Sequence, residues 1–391
     1  MTPVSTPTMP PEVLVVVGTR PEAIKLLPVI VALRESSAMT PVVVSTGQHR
    51  RLVAEVLALG HVGIDIDLPY PEHPLGLTDV FTSVMSAFEA ALTARVTATG
   101  HEVAACIVQG DTSSAAAAAI AAFHRRIPVI HVEAGLRTGD IDSPFPEELN
   151  RQLIARTAAL HLAPTAEAGR NLLAEGIDAA SILVTGNTGI DALRFAMTTD
   201  LGDEPVSKVD RPLVVVTAHR REHWGAPLQR IAAAIAELAR RRPEVEVVVA
   251  AHPNPAVAAV LRDHLDALPS VAVTGPMDYA HFARLLARAT LVVTDSGGIQ
   301  EEAPSLGTPV LVARESTERV EGVAAGTLEL VGTDSRRILA AIERLLDDPL
   351  ELDRRRRLPN PYGDGRAAER VVAACERLLL DEQTLTMERS A

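Results

Sequence analysis

Short apolar runs alternate with longer amphipathic or alanine-rich stretches along most of the chain. A first series of these runs covers residues 13–18, 41–46, 104–109, 129–132, 158–163 and 182–185. After a polar break at 198–211, a second series covers residues 213–217, 245–251, 271–274, 291–294, 309–312 and 327–331. Short runs rich in β-branched residues, separated by helix-length segments, are typical of βαβ units around a buried parallel sheet. The pattern predicts an α/β chain with two doubly wound parallel sheets.

The two series divide the chain into two predicted domains, residues 12–190 and 191–365. Two doubly wound domains of this size are expected to face each other across a cleft. Pro21 favours the first turn of a helix over 22–33, and Asp111-Thr-Ser is typical of the residues that cap a helix. A last helix over 366–380 is long enough to pack back onto the first domain.

Composition and charge exclude several classes of function. The 391 residues carry a formal net charge of −13 and only 3% are aromatic. We therefore expect no nucleic-acid partner, because duplex binding needs a basic face and single strands need stacking platforms. The two cysteines are too few for a disulfide framework, and no apolar run reaches the roughly 18 residues that cross a bilayer. With no recognisable signal peptide, we expect a cytoplasmic protein without a membrane partner.

The segment after the first apolar run is polar, and in open α/β sheets active sites gather at the carboxyl ends of strands. It reads Gly18-Thr-Arg-Pro-Glu-Ala-Ile-Lys25. Free amides and the positive end of a helix would attract an anion here, and Arg20 and Lys25 would add to that attraction. The alternative is a solvated first turn with an ordinary Glu22–Lys25 ion pair. Lysine stands only at positions 25 and 208 of this arginine-rich chain, which favours a specific need for an ammonium at position 25.

Three acidic residues follow neighbouring strand junctions in the first predicted domain, namely Asp111, Glu133 and Glu147. Asp111 has the alternative role of a helix N-cap. Glu147 has the alternative role of a surface ion pair with Arg151, which lies four residues later on the same helix face. If the three converge, crowded carboxyls supply both the acid and the base form near neutral pH. Their combination predicts a proton-transfer site.

The first polar junction of the second predicted domain holds His219 and His223. Their four-residue spacing resembles a metal site, but Arg220 and Arg221 lie between them and would repel a metal ion. A histidine placed between arginines is better suited to contact a phosphate. We therefore expect no metal site here.

The second polar junction of that domain reads Thr294-Asp-Ser296-Gly297-Gly298. Two glycines after a strand let backbone amides approach phosphate oxygens at the start of a helix. Glu302, one turn further on, would accept hydrogen bonds from the hydroxyls of a ribose. The segment predicts a nucleotide-binding turn.

Cofactor motifs are missing from the sequence. The residue spacing of Gly363-Asp-Gly365-Arg-Ala-Ala matches the dinucleotide-binding fingerprint. That fingerprint must follow a strand, however, and Pro-Asn-Pro-Tyr at 359–362 stands in the strand's place. There is no phosphate-binding P-loop either. We therefore expect no bound NAD, no ATP hydrolysis and no other cofactor.

Ten segments between residue 13 and about residue 370 resemble the non-hydrolysing UDP-N-acetylglucosamine 2-epimerases, in the family's order. They are Gly18-Thr-Arg-Pro-Glu-Ala-Ile-Lys25, Gly47-Gln-His-Arg50, Gly110-Asp-Thr112, Val132-Glu-Ala-Gly-Leu-Arg-Thr138, Pro146-Glu-Glu, Thr185-Gly-Asn187, His219-Arg-Arg-Glu222, His252-Pro-Asn-Pro255, Ser296-Gly-Gly-Ile-Gln-Glu-Glu-Ala-Pro-Ser-Leu-Gly307 and Thr317-Glu-Arg319. The combination covers nearly the whole chain and is highly specific.

The resemblance implies a GT-B arrangement of two Rossmann-like domains, a homodimer, and interconversion of UDP-N-acetylglucosamine (UDP-GlcNAc) with UDP-N-acetylmannosamine (UDP-ManNAc). Carried over by motif, it implies a catalytic set of Asp111, Glu133, Glu147 and His219. It also implies the substrate-binding residues Arg20 and Lys25 beside the pyrophosphate, Arg151 next to Glu147, Ser296, Gly297 and Gly298 at a phosphate, Glu302 at the ribose, Arg319 in the nucleotide cleft and Phe282 against the uracil.

The chemistry of such a reaction explains a site with several acids. The C2 proton of the sugar has no adjacent carbonyl, so a side-chain base cannot simply remove and replace it. Elimination of UDP across C1 and C2 gives a glycal that can be protonated on its other face, which requires acids on both faces, cations at the phosphate and a closing cleft. A hydrolysing epimerase, a GT-B glycosyltransferase, a sugar-nucleotide-binding protein and a modified UDP-sugar substrate remain alternatives.

This chain departs from the family pattern at a few positions. Gln109 stands where histidine is common, and His223 stands where asparagine is common. The segment 70–79 lacks the Met-x-x-Gly-Gln pattern that accompanies activation by a second substrate molecule, and Arg51 replaces an acidic residue. We expect weak or absent activation, so that the rate depends hyperbolically rather than sigmoidally on UDP-GlcNAc concentration.

Overall fold

The computed structural model describes residues 10–72, 74–199, 211–218, 224–250, 255–275 and 277–390. The chain divides into two compact units, Met1–Ala192 with Gly365–Ala391, and Leu193–Asp364. Each unit is built on one parallel sheet. The strands of the first sheet are β1 Glu12–Val17, β2 Thr40–Ser45, β3 Ile66–Asp67, β4 Ala105–Gln109, β5 Val129–Val132, β6 Ala158–Ala163 and β7 Ile182–Val184. Those of the second are β8 Leu213–Thr217, β9 Glu246–Ala250, β10 Val271–Thr274, β11 Leu291–Thr294, β12 Val310–Val312 and β13 Leu328–Leu330.

Both sheets are doubly wound. The first has the strand order β3-β2-β1-β4-β5-β6-β7 and the second β10-β9-β8-β11-β12-β13. In each, the chain moves outward from a central strand and then returns to its other side, so that the strand order reverses between β1 and β4 and between β8 and β11. This is the Rossmann-like arrangement, in which ligands bind beyond the carboxyl ends of the strands at the reversal. The predicted fold, two Rossmann-like α/β domains, is confirmed.

The observed strands follow the predicted apolar runs to within one residue at either end. The two-residue strand β3 was not predicted, because a strand that short leaves no periodic signal. It pairs with β2 through Val44↔Ile66 and Ser45↔Asp67. Central strands such as β1, β4, β8 and β11 are buried on both faces, which explains why their sequences are continuously apolar rather than alternating.

Helices connect the strands and cover the sheets. They are α1 Arg20–Glu35, α2 Arg50–Ala58, α3 Leu77–Thr99, α4 Ser113–His124, α5 Glu147–Thr157, α6 Ala166–Ala174, α7 Thr188–Thr198, α8 Ala226–Arg241, α9 Pro255–Leu265, α10 Tyr279–Arg288, α11 Gly297–Glu302, α12 Val320–Ala325, α13 Ser335–Asp347, α14 Pro349–Arg356 and α15 Ala367–Ser390. Helix α1 begins two residues before its predicted start, and α15 continues ten residues past its predicted end. In the part of the chain just described, no helix combines the length and apolarity needed to cross a membrane.

The C-terminal helix α15 belongs to the first unit. It packs against α1. Its start is fixed by Asp191, whose carboxylate accepts hydrogen bonds from the backbone N–H groups of Ala367 (3.1 Å) and Ala368 (2.9 Å). These donors would otherwise lack partners at the start of the helix, so an acceptor held by the first unit anchors the chain's return to it.

Helix α4 shows how the sequence sets the packing of the first unit. Its alanines at 115–119, 121 and 122 are buried, and the helix packs against α3 and α5. Small side chains let helix backbones approach closely, whereas the larger Phe88 and Leu92 fill the core around them. Each large buried apolar side chain contributes about 1.5–3 kcal/mol relative to exposure. The close packing holds the strand-to-helix turn after β4 in a fixed place.

The turn after β5 is tightly packed at Gly135. Its φ is +89°, and a Cβ added there would lie 2.2 Å from the carbonyl oxygen of Ala168. Gly139 has a similar φ of +79°, but a Cβ there would meet no atom within 4 Å. We expect Gly139→Ala to lower the free energy of unfolding by about 1 kcal/mol, from the left-handed backbone alone. Gly135→Ala should cost about 1–3 kcal/mol more, because the backbone must shift. Urea denaturation of the two variants measures the difference, and equal losses would contradict this account.

Candidate active site

The carboxylate of Glu133, immediately after β5, is the centre of the first cluster. Lys25 donates a hydrogen bond from Nζ to Glu133 Oε2 in an ion pair whose side chains are 13% and 11% exposed. Gln109, the last residue of β4, donates from Nε2 to the same oxygen at 3.1 Å. The alternative Glu22–Lys25 pair is therefore wrong, because Lys25 reaches across to Glu133. Gln109, a departure from the family pattern, is also a direct partner of this carboxylate.

Glu133 has an unusual backbone. Its φ is +66°, in the left-handed region that few residues other than glycine adopt. This conformation costs about 1–2 kcal/mol. The residue after it is held to the neighbouring strand by the hydrogen bond from Ala134 N to Leu162 O at 3.1 Å. Strain of this kind persists only where the surroundings enforce it.

A second carboxylate, that of Glu22, is buried at the start of α1 with 3% exposure. It accepts hydrogen bonds from Gly18 N (2.5 Å), Thr19 N (2.6 Å) and the hydroxyl of Thr112 (2.5 Å). Burial raises the pKa of Glu22, although these three hydrogen bonds act in the opposite direction. Of the amides in the segment that was expected to attract an anion, those of Gly18 and Thr19 therefore already donate to Glu22.

Asp111 belongs to a third group with Arg151. The guanidinium of Arg151 contacts Asp111 Oδ2 through Nε at 2.9 Å and through its terminal nitrogen at 2.7 Å. Asn150 donates to the backbone carbonyl of Asp111 at 2.8 Å. Asp111 is not the N-cap of α4, because Thr112 has that place and accepts a hydrogen bond from Ala115 N at 3.0 Å. The Asp111 carboxylate is thus left to pair with Arg151.

Glu148, which the sequence analysis missed, is the other partner of Arg151. Its side chain is fully buried and accepts from Arg151 at 2.9 Å and from Thr138 N at 3.1 Å. The expected surface pair between Glu147 and Arg151 is absent, and no hydrogen bond or ion pair of the Glu147 carboxylate occurs among the described residues. Burial opposes the charge on Arg151, but Asp111 and Glu148 outweigh it and raise the Arg151 pKa.

The sheet register brings these groups to one edge. Strands β4 and β5 pair in parallel with Gln109 opposite Val132. Glu133 directly follows Val132, and Asp111 lies two residues after Gln109, on strands about 4.8 Å apart. Lys25 joins them through its bond to Glu133, and Arg151 joins them through Asp111. Arg20 is the half-buried first residue of α1, and Glu147 is the first residue of α5.

The second unit holds the glycine turn after β11. Ser296 donates its backbone N–H to Thr294 Oγ1 at 3.0 Å, and the short helix α11 begins at Gly297. A Cβ at Gly297 would lie 2.8 Å from the guanidinium carbon of Arg319, so any other residue there would displace this guanidinium from its place against the turn. A Cβ on Gly298 would be 3.6 Å from the Glu302 carboxylate. The structure thus brings Ser296, Gly297, Gly298, Glu302 and Arg319 together.

Arg319 is held by two acids. Its Nε donates to Glu301 Oε1 at 2.8 Å, and it also pairs with Glu318. Glu301 is almost fully buried and was not singled out from the sequence, because adjacent glutamates on a helix give no sign of which one faces inward. Gln300, before it, accepts from the Thr317 hydroxyl at 2.6 Å and ties the turn to the Arg319 segment.

The last two sequence-predicted residues have different outcomes. Phe282 in α10 is half-buried and packs against the apolar cluster that includes Leu286. His219 lies outside the described residues. Among the residues that are described, no group of three or more His, Cys, Asp or Glu side chains has the geometry to hold a metal ion.

His131 in β5 was also missed by the sequence analysis. It is fully buried, and its Nε2 lies 2.8 Å from the carbonyl oxygen of Gly110, the residue before Asp111. A carbonyl only accepts, so Nε2 carries the proton and the neutral ring donates it. Burial lowers the pKa of His131 to about 3. The available signal was a histidine inside an otherwise apolar strand.

Comparison with known proteins gives consistent matches. The family described as UDP-N-acetylglucosamine 2-epimerase matches residues 31–376. A Yersinia pestis protein named UDP-N-acetylglucosamine 2-epimerase is 43% identical over 373 residues, covering 93% of this chain and 98% of the relative.

Solved structures agree with this match. The structure of UDP-GlcNAc 2-epimerase from Neisseria meningitidis bound to UDP-GlcNAc is 38% identical with a TM-score of 0.85, covering 94% of this chain and 100% of that one. The S. aureus MnaA–UDP co-structure is 37% identical with a TM-score of 0.84, covering 94% and 97%.

The burial of Glu148 gives a stability prediction with its neighbour as control. Glu148→Ala removes the acceptor of Thr138 N and one of the two acids on Arg151, so we expect a loss of about 2–4 kcal/mol in the free energy of unfolding. Glu147→Ala, at the adjacent position, should cost less than about 1 kcal/mol. Chemical denaturation at pH 7 compares the two. If the Glu147 variant is the less stable one, the assignment of the Arg151 partner is wrong.

His131 predicts a pH dependence of stability. The unfolded state takes up a proton near pH 6.5, whereas the folded state resists it down to about pH 3. The contribution of His131 to the free energy of unfolding is therefore fully present above pH 6.5. It is lost as the pH drops towards 3, and about 2 kcal/mol of it is gone at pH 5. In His131→Gln, which retains a side-chain donor, this loss should disappear, whereas it should persist in His124→Gln at an exposed histidine. Denaturation of the three proteins at pH 7 and pH 5 measures it, and an equal loss in all three would refute the prediction.

Proposed function

Because the chain belongs to the UDP-N-acetylglucosamine 2-epimerase family, and is therefore an isomerase, we propose that it interconverts UDP-GlcNAc and UDP-ManNAc by elimination and re-addition of UDP. The observation that carries the proposal is the edge of the first sheet, where Asp111 and Glu133 follow paired strands and each has a cationic partner. The relatives named above are the second support, since one is bound to UDP-GlcNAc and another to UDP.

The proposed reaction has two halves. In the first, a base takes the C2 proton as the bond between C1 and the phosphate oxygen breaks, which leaves UDP and a 2-acetamidoglucal. In the second, an acid protonates C2 on the opposite face while the C1–O bond forms again. Protons, the leaving group and electrons balance without a redox partner, so no nicotinamide cofactor is required. The half-reactions need at least two proton-carrying groups on different faces of the sugar.

The proposed proton carriers are Asp111, Glu133, Glu147 and His219. Glu133 and Asp111 are supported by their common sheet edge, and Glu147 by its place directly before Glu148 in α5. His219 rests on the resemblance alone. Each of the first two lies against a cation, so the site tolerates ionised carboxylates in a region of low exposure.

Arg20, Lys25 and Arg151 would supply positive charge on the substrate side. Negative charge grows on the departing phosphate as the C1–O bond breaks, and preorganised cations stabilise that charge. Since Glu22 occupies the amides of Gly18 and Thr19, directly before α1, we assign this role to the side chains of Arg20, Lys25 and Arg151.

The nucleotide would be held by the second unit. Ser296, Gly297 and Gly298 would bind phosphate through backbone amides, Glu302 would take the ribose hydroxyls, Arg319 would sit beside the nucleotide, and Phe282 would lie against the uracil. The bare backbone at the two glycines supports a close phosphate contact, and Arg319 already lies on that turn.

The alternative functions of the protein differ in the products that they would form. A hydrolysing epimerase would release free ManNAc and UDP, a glycosyltransferase would require an acceptor, and a binding protein would leave UDP-GlcNAc unchanged. A related UDP-sugar would be turned over faster than UDP-GlcNAc. Analysis of products and of competing substrates separates these four.

The cellular setting is proposed from the family resemblance. We expect a cytoplasmic homodimer whose product serves as a precursor of cell-surface polysaccharide. Light scattering of the purified protein measures the assembly state, and a monomer at micromolar concentration would count against it.

The decisive test is turnover in D2O. Purified protein incubated with UDP-GlcNAc in D2O, without added NAD or metal, should form UDP-ManNAc carrying deuterium at C2, as followed by NMR. Asp111→Asn should lower kcat by about 10²- to 10⁴-fold, because the amide cannot exchange the proton. Asp263→Asn, an exposed acid in the second unit, is the matched control and should leave kcat unchanged. Turnover with retained C2 protium would contradict the elimination.

A further inference from the structure

The buried carboxylate of Glu22 has no part in the proposed chemistry, yet it connects two segments that have. It joins the start of α1, which carries Arg20 and Lys25, to Thr112, which directly follows Asp111. Its three donors come from both segments, Gly18 N and Thr19 N on one side and the Thr112 hydroxyl on the other. Ninety residues of chain separate Glu22 from Thr112.

The Thr112 hydroxyl is the donor in its bond with Glu22. The Thr112 hydroxyl accepts a hydrogen bond from Ala115 N at 3.0 Å, because a backbone N–H can only donate. Its single proton is therefore available to Glu22 Oε1, 2.5 Å away. The bond is short, and its acceptor is a buried carboxyl group, where a hydrogen bond is stronger than in water.

The same contact fixes the place of Asp111. Its backbone precedes Thr112, and its carboxylate and carbonyl are held by Arg151 and Asn150 from α5. The bond to Glu22 holds this turn from the opposite side, against α1. Movement of the turn relative to Lys25 therefore requires breaking a hydrogen bond to the buried Glu22 carboxyl.

We propose that Glu22 and Thr112 form a positioning pair for the epimerisation, setting the distance between the cations of α1 and Asp111. The effect of the pair on catalysis rests on the proposed function. The link that it forms between the two segments does not depend on that function. Neither residue touches the substrate in this scheme; both act through the segments that they hold. The pair also explains why a buried carboxyl side chain lies next to the start of α1, where an anion was expected.

A purely structural role is the competing explanation, since Thr112 also caps α4. Loss of a cap lowers stability by about 1 kcal/mol wherever the helix lies. Thr165 caps α6 in the same unit through a bond from Ala168 N at 3.1 Å and provides the matched control. A positioning role lowers kcat at temperatures where the protein is fully folded, whereas a capping role does not.

The kinetic test compares Thr112→Val, Thr112→Ser and Thr165→Val. We expect Thr112→Val to lower kcat for UDP-GlcNAc by about 10- to 100-fold with KM changed less than about twofold, because misplaced reacting groups slow chemistry more than binding. Thr112→Ser, which restores the hydroxyl, and Thr165→Val should both keep kcat within about twofold of the parent. A normal kcat in Thr112→Val, even with reduced stability, would overturn the proposal.

Combining Thr112→Val with Glu22→Gln tests whether the residues act as a pair. If both act through one bond, the double variant should be no slower than the slower single variant by more than about threefold. Multiplicative losses would show that they act separately, and the pair would be rejected.

Hydrogen exchange separates failure of this proposal from failure of the proposed function. In Thr112→Val, exchange should rise in peptides covering 18–25 as well as 110–115, and in Thr165→Val it should rise in neither. If the parent protein does not convert UDP-GlcNAc, the proposed function fails, and this exchange measurement alone decides the linkage. Unchanged exchange at 18–25 in Thr112→Val would overturn the pair whatever the activity.

Discussion

The first unit is organised around the need to partner every carboxylate that is withdrawn from water. An isolated buried charge is far too costly to persist, so each such group must find a cation or hydrogen-bond donors. Glu133 has Lys25 and Gln109, Glu148 has Arg151 and a backbone amide, and Glu22 has two amides and a hydroxyl. These pairings connect α1, α4 and α5 at the carboxyl edge of one sheet, and the placement of Asp111 depends on them.

The sheets supply the geometry that this constraint requires. Parallel strands end at a common edge, and the pairing of β4 with β5 places Asp111 and Glu133 on adjacent strand ends. The alanine-rich helix α4 packs closely and keeps the turn before it in place. In the second unit, the turn after β11 has no side chain at Gly297, and Arg319 lies against it. The acids thus gather in the first unit, whereas the second unit offers a turn lined by backbone atoms.

Gln109 shows how a departure from a family pattern can still serve the site. The sequence showed only that glutamine stands where histidine is common in the family. In the structure it donates to Glu133 beside Lys25. A neutral amide contributes a hydrogen bond without adding charge, so the balance between Glu133 and Lys25 is kept.

The sequence by itself determined the number of strands in each sheet to within one short strand, their parallel direction and the polar junctions that follow them. It did so because hydrophobic periodicity and glycine turns act locally along the chain. The resemblance of ten segments added the family. Tertiary structure alone decided which partner each charged group takes: Lys25 with Glu133 rather than Glu22, and Arg151 with Asp111 and Glu148 rather than Glu147. Such choices depend on burial and on contacts between residues as many as 108 positions apart, which local sequence patterns do not encode.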